Sequence, residues 1–164
     1  MEEEAQEVMG KSLTEYGYPL SQVTSFKYLG IVLAAEENDW PAVVRNLRRA
    51  RQKWARLTQV LSREVADAKT SGQIYLVVVQ SVLLYGSETW VLIPRMDRVL
   101  GGFHHRVARR LTGWQPWKGR GGGWVYPPLE DVMDEVGLQE VDTYISLRQN
   151  TMAQYIANIP IIDL

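Results

Sequence analysis

Apolar positions along the chain change period several times, and each change marks an element. Phe26-Lys27-Tyr28-Leu29-Gly30-Ile31-Val32-Leu33 is aromatic and β-branched with one glycine inside it, which predicts a strand pair or a bulged strand. The stretch from Tyr16 to Ser25 holds Gly17, Pro19 and two serines and reads as loop or turn. From Val43 the pattern lengthens: Val43, Leu47, Ala50, Trp54, Leu57 and Leu61 recur in steps of four and three, a helical stripe. Asp39 suits its cap and Pro41 its first turn, and the stripe runs out near Ser62–Val65.

Asp67 to Tyr85 contains the nearly unbroken apolar run Ile74-Tyr75-Leu76-Val77-Val78-Val79. Its valines favour strand, but its length favours a buried helix closed at Gly86, and helix is the reading adopted. Trp90 to Ile93 reads as extended. Pro94 then opens a third helix, with Met96, Val99, Leu100, Phe103, Val107 and Leu111 on one side and Gly113 at its end. Gly101-Gly102 in its middle cost about 1 kcal/mol each against alanine, and predict a kink or a close helix crossing. Residues 112–128, rich in Gly, Pro and Trp, read as a loop. Leu129, Val132, Met133 and Val136 fit a short acidic helix ended by Gly137. Val141, Tyr144, Ile145, Leu147, Met152, Tyr155 and Ile156 fit a last helix closed before Pro160.

The expected fold is therefore mainly α. An acidic segment with a small β element spans 1–37, a helical bundle 38–113, a Gly/Pro/Trp loop 114–128 and a looser helical subdomain 129–164. With 164 residues the chain can bury a core. With no cysteine it has no disulfide framework, thiol nucleophile or Cys-rich zinc site. No apolar run is long enough for a membrane span, and the start Met1-Glu2-Glu3-Glu4 is unlike a leader peptide, so a soluble intracellular protein, cytoplasmic or nuclear, is expected.

Charge adds the most. The formal net charge of −1 conceals two bases against eight acids in 1–40, fifteen against four in 41–120, and one against seven in 121–164. Such segregation points to a polyanion partner. Most charged helices only keep a protein soluble, but these bases lack the interspersed carboxylates of an ordinary solvated face. Arginine is also the side chain whose planar fork suits phosphate oxygens.

Candidate catalytic chemistry is thin. Ser87 lacks the second glycine of a nucleophile elbow, and Gly119 to Gly123 are followed by no Gly-Lys-Ser/Thr. No two aspartates are adjacent. His104-His105 reads as one partly buried and one surface histidine rather than a metal or acid–base site. Neither a cofactor nor a metal is expected. Trp54 and Trp90 read as core. Trp114, Trp117 and Trp124 flank Lys118 and Arg120 and could stack on bases, although locking the loop onto the helices is slightly favoured.

Ser25-Phe26-Lys27-Tyr28-Leu29-Gly30, the arginine-rich helix around Arg45-Asn46-Leu47, Ile74-Tyr75, and Ser81-Val82-Leu83-Leu84-Tyr85-Gly86-Ser87-Glu88-Thr89-Trp90 occur in an order and spacing that resemble the C-terminal part of a non-LTR (LINE-type) retrotransposon reverse transcriptase. The likeness runs from about residue 20 to 113. It implies that Phe26, Lys27, Tyr28, Leu29 and Gly30 correspond to the primer grip. It also implies that Arg45, Arg48, Arg49, Arg56 and Arg63 lie on a thumb that holds the template–primer duplex by its backbone. Tyr85 to Trp90 is expected to be a packing signature. The paired aspartates of that family have no counterpart here, and two-metal phosphoryl transfer needs paired carboxylates. The expectation is a non-catalytic protein that binds duplex or RNA–DNA hybrid, with the remainder of a polymerase as a possible further partner. A protein-interaction or dimerisation module, in which basic helices pair with acidic segments such as Glu130 to Glu135, is the alternative, and a transposon remnant without a role of its own is a third.

Overall fold

The computed structural model describes residues 14–15, 18–19, 25–28, 31–34, 39–61 and 66–159. The protein is mainly α-helical, with small antiparallel β elements. β1 (Thr14–Glu15) pairs with β2 (Tyr18–Pro19), inside a stretch read from sequence as partly loop. β3 (Ser25–Tyr28) pairs with β4 (Ile31–Ala34) in a register that sets Phe26 opposite Leu33, Lys27 opposite Val32 and Tyr28 opposite Ile31. The 26–33 element is thus a strand pair rather than one bulged strand.

Helix α1 (Trp40–Leu61) turns Val43, Leu47, Ala50 and Leu57 inward, with Trp54 and Leu61 half-buried along the same stripe. Its start is fixed from two sides. The Asp39 carbonyl accepts from Val43 N, and the Asp39 carboxylate accepts from the Val91 amide at 2.9 Å. That side chain ties two segments together, a role different from the first-turn cap expected. Buried Asn46 donates through Nδ2 to the Tyr85 carbonyl at 2.8 Å, so the polar residue inside the apolar stripe has a partner.

Helix α2 (Ala68–Tyr75) begins at Asp67, whose carboxylate accepts from Thr70 N at 2.8 Å and Thr70 Oγ1 at 2.7 Å. The Thr70 amide is the main reason that carboxyl sits below its usual pKa. The chain continues without a break through a π-helical segment, Leu76–Gln80, into a last α turn, α3 (Ser81–Leu83). Helix rather than strand is correct here, but the run is not buried throughout: Val79 is enclosed while Val77 and Val78 are exposed. Gly86 then adopts φ +79°, as a helix stop requires.

After Leu83, Leu84, Ser87 and Trp90 have entered the core as a packing segment, Pro94 starts α4 (Pro94–Thr112), which ends at Gly113 with φ +65°. Residues 113–128 are not simply a loop. They hold a hairpin of β5 (Trp117–Lys118) and β6 (Trp124–Val125). Helix α5 (Leu129–Val136) stops at Gly137, and α6 (Val141–Ala157) follows. α6 buries only Val141 and Ile145, whereas Leu147, Met152, Tyr155 and Ile156, expected to mark its apolar face, are exposed.

One core collects Val43, Leu47, Tyr75, Leu83, Trp90, Leu100, Phe103, Val132, Val136 and Ile145, from every helix. At its centre the fully buried His104 bridges three segments. Its Nδ1 lies 2.9 Å from the Tyr75 hydroxyl and its Nε2 2.9 Å from the Gln139 carbonyl. A carbonyl can only accept, so Nε2 carries the hydrogen and Nδ1 accepts from Tyr75. Burial is the main reason the His104 pKa falls to about 4, and burial likewise pushes the Tyr75 phenol upward.

The close helix crossing expected at Gly101-Gly102 lies elsewhere. A Cβ at Gly102 would meet nothing within 4 Å, and one at Gly101 only the His105 ring at 3.8 Å, so α4 has no helix crossing there and runs on unbroken. Gly72 is the close approach instead: a Cβ would stand 2.1 Å from the Val136 carbonyl oxygen, where α2 crosses α5.

Gly72→Ala should therefore destabilise by at least about 1–3 kcal/mol, because backbone must move, while Gly102→Ala should stabilise by about 0.5–1 kcal/mol through helix propensity; urea denaturation of both variants checks the opposite signs. His104 gives a second expectation. Its folded pKa of about 4 lies below the ordinary 6.5, so the unfolded chain binds more protons in that window and stability falls as pH drops through it. Between pH 7 and 5 the loss should be about 2 kcal/mol, and His104→Gln should abolish that slope.

Candidate nucleic-acid interface

Two helices carry most of the bases, and packing decides which of them meet. On α1 the apolar stripe is inward, so Arg48, Arg49, Arg51, Lys53 and Arg56 are exposed, with Arg45 half-buried. On α4 the inward residues are Met96, Leu100, Phe103, His104, Val107 and Ala108, which leaves Arg95, Arg98, Arg106 and Arg110 exposed and Arg109 half-buried. Between the two helices runs an open groove of about 530 Å³, lined by Arg51 and Trp54 from α1 and by Phe103, Arg106, Val107, Arg109 and Arg110 from α4.

The groove has an aromatic wall, an apolar floor and four guanidinium groups, with no carboxylate in its lining. Trp54 is held in place: its ring meets Tyr75 edge-on at 6.1 Å between centroids, and Tyr75 is itself bonded to His104. Among the described residues Arg48, Arg49, Arg51, Arg56, Arg106 and Arg110 make no ion pair. The ion pairs between described residues that the structure shows here are His105–Glu140 at 2.6 Å and Arg148–Glu88 at 3.2 Å, and neither draws on the groove. Glu130, Asp131, Asp134 and Glu135 on α5 do not pair with it either among the described residues. Four like charges around one cleft repel each other, and an anion placed among them relieves that repulsion.

Two arginines of α4 have other duties. Arg109 donates from Nη1 to the Pro127 carbonyl at 2.9 Å and so pins the segment after the hairpin to α4. Arg95 stacks over Trp40, 3.8 Å from its ring centroid. A second cleft of about 500 Å³, between α4 and α6, is lined by Asp97, Arg98, Gly101, Gly102, His105, Glu140, Val141 and Asp142. Its charges are of both signs, three carboxylates against one guanidinium, so it is not a cationic surface. No group of three His, Cys, Asp or Glu among the described residues could hold a metal ion.

Of the residues proposed from sequence, Phe26, Lys27 and Tyr28 form β3, while Leu29, Gly30 and Arg63 lie outside the described residues. Arg45, Arg48, Arg49 and Arg56 are on α1, but none lines the groove. The convergent set is Arg51, Arg106, Arg109 and Arg110. The signal for it was present, since α4 shows the same basic-outside pattern as α1, yet only the helix packing reveals that the two faces meet. Trp90 is core as expected, whereas Trp54 sits at the core's edge and forms the groove wall. Trp114, Trp117 and Trp124 are exposed. No helix among the described residues is long and apolar enough to cross a membrane.

No family model, no curated protein and no solved structure matches this chain.

Proposed function

We propose that this protein binds nucleic-acid duplex, DNA or RNA–DNA hybrid, along the sugar-phosphate backbone and does no chemistry on it. The observation that carries this reading is the convergence of Arg51, Arg106, Arg109 and Arg110 on one groove without a carboxylate in its lining. Guanidinium forks bind phosphate oxygens in a bidentate manner, and contacts of that kind position a duplex without reading its sequence. Arg48 lies nearly one turn before Arg51 on α1, so the basic surface continues along the helix beyond the groove. The resemblance to the thumb of a non-LTR retrotransposon reverse transcriptase points the same way, with the rest of such a polymerase as a possible partner and a cytoplasmic or nuclear setting.

A second reading, a protein-interaction or dimerisation module, is favoured by α6, whose Leu147, Met152, Tyr155 and Ile156 are exposed.

Salt separates the two readings. If about five phosphates are neutralised, duplex affinity should fall with a log–log salt slope of about −4 to −5, and Arg106→Ala with Arg110→Ala should flatten it by about two units. Fluorescence anisotropy over a salt series measures both. Binding that ignores salt, or a slope untouched by the double substitution, defeats the duplex reading. Sedimentation then tests the alternative: a dimer that Tyr155→Glu dissociates would support it.

A further inference from the structure

We propose that the β5–β6 hairpin is a stacking platform for unpaired nucleotides, set beside the groove so that a single strand leaving the duplex runs onto it; this rests on the duplex-binding reading above. Within thirteen residues the chain presents Trp114, Trp117, Trp124 and Tyr126 at 41%, 50%, 61% and 63% exposure. Aromatic rings are costly to leave in water, and the remaining described tryptophans, Trp40, Trp54 and Trp90, are half-buried or buried. The hairpin is also cationic: Lys118 Nζ stands 5.9 Å from the Trp124 ring centroid, and Arg120 lies exposed in the turn. Rings interleaved with cations are the composition that holds single strands, because every base has a π-face and every link a phosphate.

Geometry joins this platform to the groove. Trp114, Gln115, Trp117, Pro127, Pro128 and Asp131 line a cleft of about 340 Å³. Pro127, in the wall of that cleft, accepts from Arg109, in the wall of the groove. The two sites therefore share a hydrogen-bonded partition. Asp131 is the one charged residue in the cleft lining. A carboxylate there repels phosphate and accepts from base N–H groups, so the cleft takes a base while the phosphates follow Lys118 and Arg120.

The turn is built to hold this shape. Gly119 N donates to the Gly123 carbonyl at 2.9 Å and Gly122 N to the Gly119 carbonyl at 3.0 Å, with Gly122 at φ +77°. The exposed rings thus stand on a defined hairpin.

The test compares the full chain on a blunt duplex and on the same duplex with a short unpaired tail, by fluorescence anisotropy at one salt concentration. The tail should tighten binding roughly tenfold, which is what one base stacked on an aromatic ring can supply. Trp117→Ala with Trp124→Ala should erase that gain and leave blunt-duplex affinity unchanged, and Trp117→Phe with Trp124→Phe should restore most of it. Both pairs are exposed, and thermal melts would verify that the variants fold. Equal affinity for the two probes, the result if the hairpin instead serves a protein partner, overturns the platform. So does a gain that survives the alanine pair. Either result leaves duplex binding standing, whereas failure to bind either probe removes both readings together.

Discussion

The arrangement depends on one buried imidazole. His104 accepts from Tyr75 on α2 and donates to Gln139 in the link between α5 and α6, and Tyr75 in turn sets the ring of Trp54 on α1. Three helices and a connector are thereby held in a fixed relation by two hydrogen bonds and one edge-to-face contact. In an apolar interior such bonds are strong because the groups have no water to turn to. The groove lies against the outer side of this relay, so the spacing of its arginines follows from the core. A charged surface on independently mobile helices would have to be ordered each time a ligand bound; here that ordering accompanies folding.

A second tier of polar ties surrounds the relay and fixes the segment between α3 and α4. Tyr85 accepts from Asn46, Val91 donates to Asp39, Trp90 accepts from Gln149 at 2.8 Å, and Glu88 pairs with Arg148. The Leu-Leu-Tyr-Gly-Ser-Glu-Thr-Trp run on which the retrotransposon resemblance partly rests is therefore structural in this chain. It connects α1, α4 and α6, and its buried side chains Leu83, Leu84, Ser87 and Trp90 face the core.

Much of the fold was legible because its signals are local. Pro94 and Gly113 bound α4, Gly137 closes α5, and the three-and-four spacing of Val43, Leu47, Ala50 and Leu57 gives the inward face of α1. Where the answer lay in tertiary packing, local rules misled. Gly101-Gly102 looked like a crossing point and is open, while Gly72 admits a neighbouring carbonyl. The site divides in the same way. That arginines lie outside the apolar stripes follows from periodicity, but that Arg51 meets Arg106, Arg109 and Arg110, more than fifty positions later, does not. The π-helical segment carried no advance sign beyond its three β-branched valines, which crowd the preceding turn.

That segment has a consequence for how the chain tolerates changes in length. Ser81 N reaches the Leu76 carbonyl, five residues back, so this turn carries a residue in excess of ordinary helical winding. Loss of one codon between Leu76 and Gln80 can be absorbed by reverting to the tighter coil, with everything downstream still in phase. The same loss within α1 or α4 would swing every later side chain on that helix by about 100°. An indel series across the domain would thus find its most forgiving helical position in the middle of its most apolar stretch.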